Sequence, residues 1–156
     1  MKSLSLILAI TGCTLTAAFR IDAGANNEVP YPEGFRQWTH IKTKVVGKQN
    51  HNKGFNHIYA NNKAMEGYTS GSFPEGSVLV FDVIESSITD SITKEEKRKH
   101  IDVMLKDSTT FADTGGWGYE EFKGDTKEAV LTAEVKAQCF NCHSRQSDHV
   151  FSEFRK

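Results

Sequence analysis

Five consecutive residues near the C-terminus carry the strongest chemical signal in the sequence: Cys139-Phe140-Asn141-Cys142-His143. The pattern C-x-x-C-H is the attachment signature of c-type haem. On a helix the two cysteines are three positions apart and share one face, so both sulfurs can form thioethers with the haem vinyl groups. The adjacent histidine can offer a ring nitrogen to the iron as an axial ligand. The motif predicts one covalent haem c per chain, attached through Cys139 and Cys142 and ligated by His143.

Three other kinds of site can use the same residues. A zinc site needs four ligands, and His149 or His57 could complete a set with the three in the motif. A thioredoxin-like redox pair would need the motif at the start of a helix in a βαβ unit, a pattern the sequence lacks. A disulfide between the two cysteines would be strained. Haem attachment is preferred, because haem c is attached on the exported side of a membrane and the chain begins with an export signal.

The first 25 residues are typical of a secretory signal peptide. Lys2 precedes a short apolar stretch, and small residues lead to an A-x-A cleavage site at 23–25. Alternatively, the segment ITGC resembles a bacterial lipobox, in which Cys13 would be lipidated and anchor the protein. Both interpretations predict a periplasmic protein, and residues 26–156 are predicted to form a single domain. A membrane is a partner only if Cys13 is lipidated.

The composition of the 156-residue chain excludes several classes of protein. The formal net charge is −1, so the chain has no basic excess with which to bind nucleic acid. Three cysteines are too few for a disulfide framework. Ten Phe, four Tyr and two Trp are enough to build an apolar pocket as well as a core.

The elements that must position the motif are mostly strands. Strands are predicted at 35–46, which is rich in β-branched and aromatic residues, and at 55–59, 77–85, 100–106 and 117–122. Helices are predicted at 62–67, capped by Asn and ended by Gly67, and at 126–143. The charged run 94–99 is predicted to be a solvated loop or hairpin tip. Strands first and a long helix last predict an α+β fold, with a mainly antiparallel sheet and a C-terminal helix carrying the haem-attachment motif.

The strand at 100–106 has a clear alternation. One face is apolar and the other carries mostly polar groups. The apolar face consists of Ile101, Val103 and Leu105, and the other of His100, Asp102, Met104 and Lys106.

Several segments together resemble the cytochrome P460 family, including its relatives the cytochromes c′-beta. In chain order they are YPEGFRQWTHIKTKVV, FNHIYAN, FPEGSVLVFDV, VMLKDSTTFADTGGWGYEEF, CFNCH and DHVFSEFR. This ordered set covers nearly all of the mature chain. The resemblance implies a mainly antiparallel β fold, a haem c on the final helix, a homodimer and a five-coordinate iron with an open distal face.

Two positions decide which kind of member the chain resembles. In the hydroxylamine-oxidising members, a Lys on the strand after the F-x-x-G turn bonds covalently to the haem ring. Counted from Phe73 and Gly76, that position here is Phe81. Phe has no nucleophilic nitrogen, so the resemblance implies a non-cross-linked, cytochrome c′-beta-like member in which Phe81 packs against the haem.

The family also places a carboxylate over the iron, near the start of the strand that ends in K-D-S. The matching residue is Asp102, where a Glu is usual in the cross-linked enzymes. The resemblance therefore makes Asp102 the candidate catalytic group, as the polar residue of the distal pocket. Without the resemblance, Asp102 would be interpreted as an exposed strand carboxylate and Phe81 as an ordinary core ring.

Three functions are compatible with these residues. The first is binding of NO, CO or another small gas at a five-coordinate haem c. The second is electron transfer to a partner protein, which needs a sixth iron ligand from His40, His51, His57, His100, His149, Met65 or Met104. The third is oxidoreductase activity, such as hydroxylamine oxidation or peroxidase-type turnover. The first is favoured because no Met follows Met104 and because Phe81 replaces the cross-linking lysine.

Overall fold

Five strands form one antiparallel sheet in which each strand pairs with the next along the chain. The computed structural model describes residues 28–47 and 50–155, so the predicted signal peptide and Cys13 lie outside the described residues. The strands are β1 (Thr39–Val46), β2 (Gly54–Ala60), β3 (Val78–Thr89), β4 (Ile92–Lys106) and β5 (Trp117–Lys123). Helix α1 (Asn62–Ser70) follows β2, and helix α2 (Ala133–His143) follows β5. The predicted α+β fold is confirmed, and the C-x-x-C-H motif ends the C-terminal helix.

The two faces of the sheet bury separate apolar clusters, because successive side chains of a strand point to opposite faces. The cluster on the side of the helices, called here the helix-side face, contains Ile41, Ile58, Ala60, Ala64, Phe73, Leu79, Trp117 and Tyr119. The opposite cluster contains Val29, Phe35, Val80, Ile101, Val103 and Phe122. On β4 the predicted alternation is confirmed: Ile101 and Val103 belong to the second cluster, and Met104 packs against the first.

The hairpin of β3 and β4 is longer than the sequence predicts. The strand predicted at 77–85 extends to Thr89, and the run 94–99, predicted as a loop or tip, lies within β4. The turn itself consists of Asp90 and Ser91, whose φ angles of 51° and 67° suit a two-residue hairpin turn. The charged run is strand because its backbone pairs with β3 while most of its side chains are exposed.

The first strand begins later than predicted. Phe35–Gln37 forms a 3₁₀ turn, and β1 starts at Thr39. This turn is fixed to the sheet by Arg36, whose guanidinium pairs with the fully buried Asp82 at 2.9 Å. Arg98 of β4 pairs with the same carboxylate at 2.6 Å, so the buried charge has two cationic partners.

Helix α1 is capped as predicted but does not end at Gly67. The Asn61 side chain accepts a hydrogen bond from the N–H of Ala64 at 2.8 Å, and Gly71, with φ 84°, ends the helix. Gly67 is required for packing and not for ending the helix: a Cβ there would lie 2.4 Å from the ring of Phe73. Glycine at this position therefore lets the ring pack directly against the helix backbone.

Helix α2 begins at Ala133, not at 126 as the sequence predicts. Residues 129–131 are hydrogen-bonded to β5 instead of forming a helical turn. Thr132 then caps the helix, because its side-chain oxygen accepts from the N–H of Val135 at 3.5 Å. In the described part of the chain, no helix has the length and apolar character needed to cross a bilayer.

Glu120 of β5 joins the sheet to the start of α2. Its side chain is almost fully buried and accepts a hydrogen bond from the N–H of Leu131 at 3.0 Å. The same carboxylate pairs with Lys136 of α2 at 2.7 Å. These two contacts fix the position of α2, and therefore of the C-x-x-C-H motif, relative to the sheet.

Candidate functional site

A cavity of about 490 Å³ lies between the helix-side face of the sheet and α2. This volume is within the range of roughly 300–1,000 Å³ that is usual for ligand pockets. Four predicted site residues line the cavity: Phe81 and Asp102 from the sheet, and Cys139 and His143 from α2. The fifth, Cys142, is exposed and does not line the cavity. The structure thus brings the sheet and helix parts of the predicted site around one volume.

His143 is held by a hydrogen bond and by two aromatic rings. Its Nδ1–H donates to the backbone carbonyl of His149 at 2.7 Å. The ring centroids of Tyr119 and Phe151 lie 5.3 Å and 4.9 Å from that of His143. Burial lowers the pKa of His143 below its ordinary value, although the hydrogen bond to the carbonyl opposes this. A neutral imidazole with a fixed Nδ1 proton leaves Nε2 as the metal-binding atom, which is the usual arrangement of a ligating histidine.

The carbonyl that orients His143 belongs to a tight turn built around Asp148. Asp148 and His149 have φ angles of 42° and 62°, an uncommon conformation for residues other than glycine. The Asp148 carboxylate accepts hydrogen bonds from the backbone N–H of Phe73 at 2.6 Å, from Lys106 at 3.1 Å and from Trp117 at 3.3 Å. These three donors hold the turn against the sheet. The turn then holds the His143 imidazole through the His149 carbonyl.

We expect Asp148→Asn to loosen the His143 ring and to reduce stability by about 2 kcal/mol, because a charged acceptor with three donors becomes neutral. Burial alone would raise the pKa of Asp148, but the three hydrogen bonds outweigh it, and the pKa lies below its ordinary value. The stabilisation is therefore present above the ordinary carboxyl pKa and is lost as the pH falls below it. Denaturant unfolding between about pH 2 and pH 6, on both sides of the ordinary carboxyl pKa of about 3.9, should show a weaker acid dependence in the variant.

The exposed Asp113 provides a matched control for Asp148. Asp113→Asn should leave the acid dependence unchanged. Resonance Raman spectroscopy of the haem-loaded protein should detect an altered iron–histidine stretching band in Asp148→Asn only. Identical bands in the two variants would mean that the turn supports the fold but does not orient His143.

The opposite wall of the cavity is one row of residues across four strands. Ile58 of β2 pairs with Phe81 of β3, Phe81 pairs with Asp102 of β4, and Asp102 pairs with Glu121 of β5. Residues directly opposite in an antiparallel sheet share one face. All four line the cavity. The predicted distal pair, Phe81 and Asp102, are therefore immediate neighbours.

Asp102 is paired with a second carboxylate, Glu121, which no sequence pattern singles out. Burial is the largest cause that raises the pKa of Asp102 to about 8; the negative charge of Glu121 and its hydrogen bond with Asp102 add to it. The side chain keeps 38% of its surface accessible, through the cavity that it lines. The raised pKa favours the protonated form of Asp102 near neutral pH, and a protonated carboxyl can donate a hydrogen bond, which an ionised carboxylate cannot do.

The ferric spectrum of the haem-loaded protein should titrate with a midpoint near pH 8, the pKa of Asp102. Below the midpoint the neutral carboxyl can donate a hydrogen bond, and above it the anion repels anionic ligands. Asp102→Asn should abolish this titration. Glu121→Gln should keep it but move the midpoint to lower pH, because one cause of the raised pKa is removed. An unchanged titration in Asp102→Asn would return Asp102 to the role of an ordinary strand residue.

Tyr119 and Met104 also line the cavity. The Tyr119 hydroxyl is buried without a hydrogen-bond partner among the described residues, and burial raises its pKa. A buried polar atom without a partner is uncommon in a complete structure and is consistent with a cavity that normally holds a polar ligand group. Met104 is directly opposite Tyr119 on β4, as its predicted face requires.

The donor set fits a haem c better than the alternative sites. The two motif cysteines are free rather than disulfide-bonded. The sheet is an antiparallel meander, so the βαβ unit of a thioredoxin-like site is absent from the described residues. A zinc site built on the motif would bring its ligand atoms together with those of another histidine. Across residues 28–47 and 50–155, the one group of three potential metal ligands that lie close together contains no residue of the motif. A large, mostly apolar cavity bordered by Cys139 and His143 suits a planar macrocycle.

Comparison with curated proteins gives no match. The sequence model of the family described as Cytochrome P460 matches residues 32–152. This range includes every strand of the sheet, both helices and all the residues that line the cavity. The chain therefore belongs to the cytochrome P460 family, and it is a haem-binding cytochrome.

Proposed function

We propose that this protein is a periplasmic, cytochrome c′-beta-like member of the family, which carries one covalent haem c and binds NO or another small gas at an open distal face. The observation that carries the proposal is the side chain of Phe81, in the row of strand residues that lines the sheet side of the cavity, called here the sheet wall. Phe81 lines the cavity in the row that also contains Asp102. An aromatic ring there cannot form the covalent link that a lysine forms in the hydroxylamine-oxidising members.

Cys139, Cys142 and His143 are the residues that would hold the haem. They occupy the last five residues of α2, with Cys139 and His143 on the cavity and Cys142 exposed. When bound, the haem would supply an iron that can take a diatomic ligand. The protein supplies the orientation of that iron through the hydrogen bond from His143 to the His149 carbonyl.

The sheet wall determines which ligands can enter. Ile58, Leu79 and Phe81 make most of this wall apolar, and Asp102 is its central polar group. Apolar side chains exclude water and favour small uncharged ligands over hydrated anions. The protonated Asp102 can donate one hydrogen bond to a bound ligand, and it becomes repulsive to anions once it ionises.

The proposal is tested by the spectra of the purified ferric and ferrous protein with and without ligand. Electron paramagnetic resonance of the ferric form at neutral pH should be dominated by a high-spin signal, since His143 is the only protein ligand. NO and CO should bind the ferrous form rapidly, and azide should bind the ferric form weakly. A purely low-spin ferric spectrum would show a sixth protein ligand and would refute gas binding at an open face.

Electron transfer is the second candidate function, because Met104 lines the cavity and a thioether can ligate haem iron. The variant Met104→Leu tests whether Met104 is the sixth ligand. If Met104 is not a ligand, the substitution leaves the spin state and the reduction potential unchanged. Conversion of a low-spin wild-type spectrum to a high-spin one by this substitution would establish a six-coordinate electron-transfer cytochrome.

The proposal also covers the oligomeric state and the cellular location of the protein. We propose a homodimer, which the family resemblance implies, and a periplasmic location, which the predicted leader implies. Light scattering of the purified protein should give twice the mass of the mature chain. Cell fractionation should recover the protein in the periplasmic fraction, or in the membrane fraction if Cys13 is lipidated.

A further inference from the structure

Two histidines and a carboxylate converge at one edge of the cavity, away from the C-x-x-C-H motif. His51 lies in the loop between β1 and β2, His100 on β4 and Glu121 on β5. Their ligand atoms all lie within 4.8 Å of one another. The three residues come from separate parts of the chain, so no local sequence pattern predicts the group.

His100 is the unusual member, because it is buried without a hydrogen-bond partner for one ring nitrogen. Its residue surface is 2% exposed, and its Nε2 has no partner among the described residues. The ring stacks on that of His51, with centroids 4.9 Å apart and planes 19° from parallel. An unsatisfied buried nitrogen costs free energy, and a native structure normally provides a partner for it.

The surrounding atoms suit a cation better than a further hydrogen bond. His51 Nε2 lies 3.6 Å from Glu121 Oε2, and His100 Nε2 lies 3.8 Å from Asp102 Oδ2, both too long for hydrogen bonds. In a tetrahedral site with bonds of about 2.0 Å, ligand atoms are about 3.3 Å apart. The His51 side chain is mostly exposed, so its ring can close the remaining gap without disturbing the sheet.

We propose that His51, His100 and Glu121 form a second metal site, distinct from the haem, for a divalent ion of the zinc type. Two imidazoles and one carboxylate are a recognised ligand set for Zn²⁺ with a fourth position left to water. Imidazole ligands select Zn²⁺, Cu²⁺ or Ni²⁺ over Mg²⁺ and Ca²⁺, which prefer oxygen. The ion borders the haem cavity through Glu121, which pairs with Asp102 on the neighbouring strand.

Isothermal titration calorimetry with Zn²⁺ tests the site in the haem-loaded, ferric protein, prepared without a histidine tag and treated with a chelator. We expect one Zn²⁺ per chain, confirmed by metal analysis after equilibrium dialysis, and no competition from excess Mg²⁺. His51→Ala and His100→Phe should each weaken binding more than about 100-fold, since even residues behind metal ligands contribute 10–100-fold. His100→Phe keeps an aromatic ring in the buried position, so the fold should be retained.

The exposed His40 on β1 is the control, because its ring lies outside the group. His40→Ala should bind Zn²⁺ as the wild type does. Absence of binding in the wild type, or equal binding in His51→Ala and the wild type, would overturn the proposal. The measurement uses no gas ligand, so failure of NO binding and failure of the second metal site are separate results.

Discussion

Replacing both Cys139 and Cys142 with Ser is expected to abolish covalent haem attachment. In the wild type, acid–acetone extraction should leave the colour with the protein, and a haem stain on a denaturing gel should mark a band at the protein mass. In the double variant the stain should disappear, because no thioether remains to hold the macrocycle once the fold is lost. The result should be close to all-or-none, a larger effect than we expect from any other substitution in the chain.

The third cysteine of the chain provides the control for this experiment. Cys13 belongs to the predicted leader, so Cys13→Ser should leave the haem stain unchanged. If Cys13 is lipidated, the same variant should lose its association with membranes. Release of the haem from the wild-type protein by acid–acetone would contradict covalent attachment, and the cofactor would then be held by His143 and the cavity alone.

Phe81→Ala is expected to accelerate CO binding to the ferrous protein by roughly tenfold, which corresponds to about 1.4 kcal/mol in the barrier. The reason is steric: Phe81 lies at the centre of the sheet wall, beside Asp102, where a ring restricts the approach of a ligand to the distal face. Flash photolysis measures the rate directly. Phe81→Leu keeps an apolar side chain of intermediate bulk and should give an intermediate rate.

The same residue bears on hydroxylamine oxidation, which we expect this protein not to catalyse efficiently. Without a lysine at position 81, the ferrous protein should show an ordinary c-type spectrum, without the red-shifted band of cross-linked relatives. With hydroxylamine and an electron acceptor, turnover should not exceed that of a generic haem control. Rapid, saturable hydroxylamine oxidation would refute the proposed function. Unchanged CO binding rates in Phe81→Ala would show instead that the ring belongs only to the core.

The strands of the sheet could be predicted because each satisfies a local rule. On β4, alternation alone places Asp102 and Met104 on the face opposite Ile101 and Val103, and the structure confirms that placement. The prediction for the charged run 94–99 is wrong because charge predicts exposure, and an exposed strand is as compatible with that pattern as a loop. The predicted start of α2 is wrong because residues 129–131 pair with β5, a tertiary contact that outweighs local helix propensity.

The predicted and the unpredicted parts of the site differ in how far their contacts reach along the chain. The C-x-x-C-H motif is contiguous and could be recognised from spacing. Glu121 becomes a neighbour of Asp102 only through the register of β4 and β5. Asp148 holds the turn that carries the His149 carbonyl only because it accepts hydrogen bonds from Phe73, Lys106 and Trp117, which are far away in sequence. Side-chain type alone gives no signal for contacts of this kind.

None of the eleven residues of α2 is buried. The sheet has an apolar cluster on each face, whereas the helix borders a cavity and is held by the contacts of Glu120 and by the partly buried Cys139 and Phe140. Amide hydrogens of the sheet should therefore exchange only on global unfolding, and those of α2 on a local opening of low free energy. In chains that have not yet received a haem, we therefore expect the sheet to stay folded while the C-terminal segment opens locally, which exposes the two cysteines to the attachment machinery and also to proteases.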